Sequence, residues 1–137
     1  VKKRKIVVIG GSAAGPKAAA KARRIDNRAD VIILQKDADL SMASCGYPYY
    51  IGGFFDDRNM LLCTTAGVTR NPQFYLNAKD IEAKVNTEVT AIDRKGRTVS
   101  FRNTATGETS EMIYDKLIIA TGSVPRMPPI PGVGLSG

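Results

Sequence analysis

A chain of 137 residues with 43% apolar content is long enough to bury the core of one globular domain. Its formal charge of +7, from 20 Lys+Arg against 13 Asp+Glu, suits an anionic partner. No apolar run approaches bilayer length, and too few apolar residues separate Lys2-Lys3-Arg4-Lys5 from the first glycine to make a signal-peptide core, so no membrane partner is expected and a cytoplasmic protein is.

Nucleic acid is the simplest anionic partner. However, nine of the basic residues lie in the first 28 positions around a glycine turn, and no recognition helix, stacking-aromatic sheet signature or zinc pattern accompanies them. Phosphorylated small molecules fit better. The two cysteines, Cys45 and Cys63, are spaced for neither a CxxC motif nor a zinc site, and histidine is absent. No metal site is expected, and any chemistry must come from cysteine or a bound cofactor.

Val7, Val8 and Ile9 form a continuous β-branched run, which reads as a strand buried on both faces. The turn Gly10-Gly11-Ser12-Ala13-Ala14-Gly15 follows, with Ser12 where the middle glycine of GxGxxG usually stands, and Pro16 falls in the first turn of a helix. A phosphate is expected at that helix N-terminus. Ala14, Ala18, Ala22 and Ile25 are expected to share the helix face packed on the sheet, while Lys17, Lys21 and Arg24 share another. This basic stripe is either a solvated face or a track for the phosphates of a ligand. Asp30 to Gln35 gives a second parallel strand, closing a βαβ unit, and Gln35 stands where a dinucleotide site normally places an acid for the ribose hydroxyls. Its amide oxygen can accept the same bond without the charge.

In Ser41-Met-Ala-Ser44-Cys45-Gly46-Tyr47-Pro48-Tyr49-Tyr50-Ile51-Gly52-Gly53, Ser44 reads as a helix cap, Pro48 as a first-turn residue and Gly52-Gly53 as a stop. Cys45 would then lie at a helix N-terminus, where the dipole favours a thiolate; the alternative is a small buried residue. Asp56 to Asn59 reads as a polar loop, Met60 to Cys63 as a short apolar segment with Cys63 buried, and Pro72 to Asn77 as a short helix. Ala83–Val85, Glu88–Asp93, Thr98–Arg102 and Glu111–Tyr114 read as a small antiparallel meander with turns at Lys95-Gly96 and Thr106-Gly107. Leu117 to Ala120 reads as a further sheet strand, ended by Thr121-Gly122, and Pro125, Pro128, Pro129 and Pro131 as an extended connector.

The glycine turn, the strand ending Gln35-Lys36-Asp37, the Ser41 to Tyr50 segment and Tyr114-Asp115-Lys116-Leu-Ile-Ile-Ala120-Thr121-Gly122 occur in this order in one family. Together they resemble the N-terminal FAD-binding region of the single-cysteine pyridine nucleotide-disulfide oxidoreductases, a branch that includes coenzyme A-disulfide and persulfide reductases and NADH oxidases and peroxidases. The resemblance implies that residues 1–124 are the N-terminal part of an α/β, Rossmann-like FAD-binding domain, a parallel sheet with helices plus the meander. Residues 125–137 become a connector toward an NAD(P)-binding domain outside this sequence, and the full-length protein a homodimer. The resemblance also implies that Gly10, Gly11, Ser12, Ala14, Gly15, Gln35, Lys36, Ala120, Thr121 and Gly122 hold FAD. Cys45 would be the redox cysteine, and Lys17, Lys21, Arg24, Ser41 and Ser44 would contact a thiol substrate such as coenzyme A. Two departures stand out: Ser44 replaces the usual Asn before the cysteine, and Gln35 replaces the acid, so the thiol is left open and weaker binding of the adenosine half is expected. An oxidase or peroxidase working through a cysteine sulfenic acid, and a non-catalytic nucleotide-binding module, are the alternative readings.

Overall fold

The computed structural model describes residues 3–135, so the last two positions of the expected connector lie outside it. Strand β1 (Lys5–Ile9) leads through the glycine turn into helix α1 (Ala14–Ile25), which returns the chain to strand β2 (Asp30–Leu34). A 3₁₀ turn at Ser44–Gly46, the short helix α2 (Tyr47–Ile51), a second 3₁₀ turn at Arg58–Leu61 and helix α3 (Pro72–Lys79) follow. The chain then enters strands β3 (Glu82–Lys84), β4 (Thr87–Asp93), β5 (Thr98–Asn103), β6 (Thr109–Ile113) and β7 (Lys116–Ile119). Residues 122–130 have no regular structure and are exposed.

The expected parallel sheet and meander are both present. The sheet has the order β3-β2-β1-β7 with every pairing parallel, and β4-β5-β6 form the antiparallel sheet. The chain leaves β1 toward β2 on one side and returns to β7 on the other, so the strand order reverses at the carboxyl end of β1. In open α/β sheets that reversal opens a crevice for a ligand.

Strict alternation along the central strands explains why they read as unbroken apolar runs. Ile6, Val8, Val31 and Ile33 pack with Ala19, Leu40, Tyr75 and Ile81 on the side of α1 and α3. Val7, Ile9, Ile32 and Leu34 pack with Val99 and the half-buried Phe101 and Met112 of the meander on the other. Full burial of each such side chain contributes about 1.5–3 kcal/mol. The result is a helix layer, the parallel sheet and the meander stacked around one sheet.

Several expectations need correction. Helix α1 buries Gly15, Pro16 and Ala19, whereas Ile25 is 74% exposed and Ala14 is exposed too. Alanine makes no strong choice of side, and the close approach at Gly15 sets the rotation of the helix. Ala83 to Lys84 do not join the meander; β3 pairs parallel with β2, at Ile32↔Glu82 and Leu34↔Lys84. Cys63 is half-buried rather than buried, bridging Thr69 across a small loop with its Sγ 3.6 Å from Thr69 Oγ1. The helix expected from Pro72 is present and runs on to Lys79; Asn71 caps it, its side chain accepting the Phe74 N–H at 2.9 Å.

Candidate active site

Gly10 sits at φ +104°, and a Cβ there would collide with the Ala120 carbonyl; a Cβ on Gly15 would collide with the carbonyl oxygen of Gly10. Glycine at these two places lets the β7 end and α1 close on the turn. Gly10 N–H donates to Leu34 O at 2.8 Å and Ala120 N–H to Ile9 O at 2.8 Å, so the turn hangs between β2 and β7. The N–H groups of Ser12, Ala13 and Ala14, at the head of α1, make no hydrogen bond among the described residues. No side chain caps the helix and no acid occupies its first turn. Orphan donors and the positive end of the helix dipole therefore face outward together, which favours an anion.

In front of this turn lies a cleft of about 500 Å³. Gly10, Gly11, Ser12, Gln35, Lys36, Ala120, Thr121 and Gly122 all line it, as do Asp37, Thr87, Glu88 and Val89, which the sequence did not single out. Ala14 and Gly15 do not line it; Gly15 lies buried beneath the turn. The Lys36 ammonium is 2.9 Å from Glu88 Oε1, and the Arg102 guanidinium is 2.7 Å from Glu88 Oε2. The hydrogen bond from Lys36, then that from Arg102, holds the Glu88 carboxyl below its ordinary pKa, while the hydrogen bond to Glu88 and its charge raise that of Lys36.

Gln35 is buried, with its Oε1 accepting the Gly11 N–H at 2.7 Å. The Gly11 carbonyl accepts in turn from Ser41 N–H at 2.7 Å, tying the glycine turn to the loop that carries Cys45. That loop is held on its other side by Ala43 N–H to Leu61 O, 2.9 Å, and by an ion pair of Arg58 with Asp39. Cys45 is an exposed free thiol within the 3₁₀ turn. Ser44 does not cap a helix as expected: Gly46 already has helical angles (φ −85°, ψ −10°), so the 3₁₀ turn passes straight into α2 and leaves no extended cap position. Pro48 and Gly52 take their expected places, at the start and the stop of α2.

On the far side of the glycine turn, α1 and α3 bound a second cleft of about 360 Å³. It gathers Lys17, Arg24 and Ser41 of the expected substrate residues and adds Arg70, Lys79 and Thr64. Lys21 and Ser44 lie outside its lining. Arg70, in the lining, is held in place by donating from Nε to Leu62 O at 3.2 Å and from Nη2 to Leu61 O at 3.3 Å. Arg23, beside Arg24, has a different task, closing the end of α3 through Asp80 O at 2.9 Å and the Asp80 carboxylate at 3.0 Å. Arg70 and Lys79 were missed because only the packing of α3 on the sheet, beside α1, brings them to the basic stripe. Four cations in one cleft suit a multiply anionic ligand, and Ser41, at its edge, begins the loop that carries the free thiol.

Comparison with known proteins finds relatives for this fold. The chain is 40% identical over 120 residues, 88% of its length, to a coenzyme A disulfide reductase of Staphylococcus haemolyticus, of which it spans 26%. Among solved structures, a NAD-dependent persulfide reductase from A. fulgidus superposes with TM-score 0.88 at 39% identity, over 95% of this chain and 24% of that one. A water-forming NADH oxidase from Lactobacillus brevis does so with TM-score 0.79 at 27% identity, over 97% of this chain and 28% of that one. The chain thus spans about a quarter of the length of the relatives it matches. The family model for pyridine nucleotide-disulphide oxidoreductases matches residues 4–137, nearly the whole sequence, and the chain belongs to that family.

Proposed function

We propose that this chain is the FAD-binding part of an NAD(P)H oxidoreductase that reduces a low-molecular-weight, phosphate-bearing thiol substrate, such as coenzyme A disulfide or a persulfide, through Cys45. The cleft before the glycine turn fits FAD on this structure's own features: a cradle that a Cβ at Gly10 would block, and unpaired N–H groups at the head of α1 for a pyrophosphate. Gly10, Gly11, Ser12, Ala120, Thr121 and Gly122 would hold the cofactor, with Lys36 at the rim. When bound, FAD supplies a two-electron relay from NAD(P)H, whose own site belongs to a part of the protein outside these residues.

The observation that carries the substrate reading is the cluster of Lys17, Arg24, Arg70 and Lys79 around Ser41, four residues before Cys45. Lys17 and Arg24 form no ion pair among the described residues, so their charge is open to a ligand. An anionic thiol seated there is anchored through its phosphates while its sulfur is directed to the cysteine loop. Cys45 has no partner cysteine in a CxxC spacing, so its thiolate attacks one sulfur of the substrate disulfide, forms a mixed disulfide and expels the other half as thiolate. Two electrons from NAD(P)H then cleave the mixed disulfide, returning Cys45 to the thiolate and releasing the second thiol. The full-length protein is read as a cytoplasmic homodimer; no helix of the described residues is long and apolar enough to cross a membrane.

The likeness to an NADH oxidase supports a second reading, in which peroxide or oxygen is the oxidant and Cys45 cycles through a sulfenic acid. Stopped-flow mixing of the reduced full-length protein with coenzyme A disulfide or with peroxide separates the two. Faster reoxidation by the disulfide is expected, and faster reoxidation by peroxide selects the second reading.

A further inference from the structure

We propose that Gln35 is a positioning residue whose neutral amide clamps the glycine turn of the cofactor cleft to the loop leading to Cys45, so that a carboxylate in its place loosens the cleft. The inference rests on reading that cleft as the FAD site. At this position a dinucleotide fold usually carries an acid, and an amide would ordinarily count as a weaker hydroxyl acceptor. Here the side chain is committed elsewhere. Gln35 is 6% exposed, its Oε1 accepts the Gly11 N–H at 2.7 Å, and its Nε2 donates to Asp39 O at 3.1 Å and to Asp37 Oδ2 at 3.4 Å. One donor and two acceptors around the group fix the amide orientation.

Both ends of this clamp matter to the active site. Gly11 is held at its N–H by Gln35 and at its carbonyl by Ser41 N–H, 2.7 Å away, and the Asp39 to Ser41 loop is itself held by Gln35. Packing reinforces the bonds: a Cβ on Gly11 would lie 2.9 Å from Gln35 Cβ and 2.7 Å from Leu40 Cδ2. Cofactor turn, Gln35 and cysteine loop therefore keep one relative placement.

Glutamate has the same shape and keeps the acceptor for Gly11, but ionised it offers no proton to the Asp39 carbonyl and sets a charge against Asp37. The side-chain cations around it already have carboxylate partners. Lys36 is paired with Glu88, which also holds Arg102, the Asp39 carboxylate is paired with Arg58, and Lys84 on β3 is paired with Glu82. Protonation would restore a donor and remove the charge together.

The test titrates the full-length apoprotein with FAD, following flavin fluorescence, at about pH 8 and about pH 5, on either side of the range in which a buried carboxyl protonates. Relative to wild type at the same pH, Gln35→Glu is expected to raise the Kd about thirtyfold at the higher pH and to recover most of that loss at the lower. Gln35→Met, which fills the space without either bond, is expected to raise the Kd about tenfold at both pH values and to lower the melting temperature of the apoprotein. Tighter or unchanged binding by Gln35→Glu, or weakening without recovery at low pH, overturns the proposal. Should Gln35→Glu fail to fold, wild-type affinity in Gln35→Met overturns it instead. Failure of the wild-type apoprotein to bind FAD rejects the reading of the cleft, a different result from any of these.

Discussion

Gly10→Ala puts a number on the close approach that builds the glycine turn. Gly10 lies at φ +104°, and an added Cβ would strike the Ala120 carbonyl, so alanine strains the backbone and also drives the end of β7 away from β1. The backbone part costs about 1–2 kcal/mol. Moving β7 breaks the Ala120 N–H to Ile9 O bond of 2.8 Å and disturbs the contacts around it, adding about 2 kcal/mol. Gly107→Ala isolates the first part, because Gly107 has φ +78° but no atom within 4 Å of its would-be Cβ. At about 4 °C per kcal/mol for a chain of this size, thermal unfolding followed by circular dichroism should show losses of roughly 12–16 °C for Gly10→Ala and roughly 4–8 °C for Gly107→Ala. Equal losses would refute the claim that Gly10 serves the approach of β7.

Among the cations of α1, Arg24 lines the second cleft and Lys21 does not, so Arg24→Ala should raise KM for coenzyme A disulfide about tenfold, Lys21→Ala far less, and neither should change KM for NADH; the reverse order contradicts the geometry. Ile33 is fully buried under the helix layer and Ile25 is 74% exposed, so Ile33→Ala should cost about 2–5 kcal/mol in urea unfolding and Ile25→Ala under about 0.5 kcal/mol. Comparable losses would show that α1 is rotated differently. Glu88 has a depressed pKa, so its ion pairs stabilise the fold above the unfolded carboxyl pKa and that contribution is lost as pH falls through the folded value. Lys36 has a raised pKa, so its share is present below the unfolded lysine pKa and is lost as pH rises through the folded one. The difference in melting temperature between wild type and Glu88→Gln should therefore be greatest near neutrality and shrink toward both extremes; a difference independent of pH counts against the pairing.

What could be read from the sequence depended on how strongly each residue constrains its surroundings. The runs Val7 to Ile9 and Val31 to Leu34 carry large apolar side chains on both faces, so their burial was legible, as were Gly10 and the turns at Lys95-Gly96 and Thr106-Gly107. The packed face of α1 was not, because alanines surround the helix and only the tertiary approach at Gly15 selects one side. Strand β3, three residues long with mixed burial, carries no period that distinguishes the parallel sheet from the meander. The site was partly legible for the same reason. The glycine turn and Gln35 have fixed places in a βαβ unit, whereas Arg70 and Lys79 lie far along the chain from Lys17 and become its neighbours only when α3 packs on the sheet. The internal bond of Gln35 to Gly11 could not be inferred from spacing, since an amide at that position can face either the cleft or the turn.

In the proposed function Cys45 carries the electrons to a small disulfide. In the full-length protein, Cys45→Ser should keep its bound flavin, and NADH should still bleach the flavin absorbance, yet NADH-dependent release of thiol from coenzyme A disulfide should be lost. Thiol release by Cys45→Ser at the wild-type rate would contradict that role for Cys45.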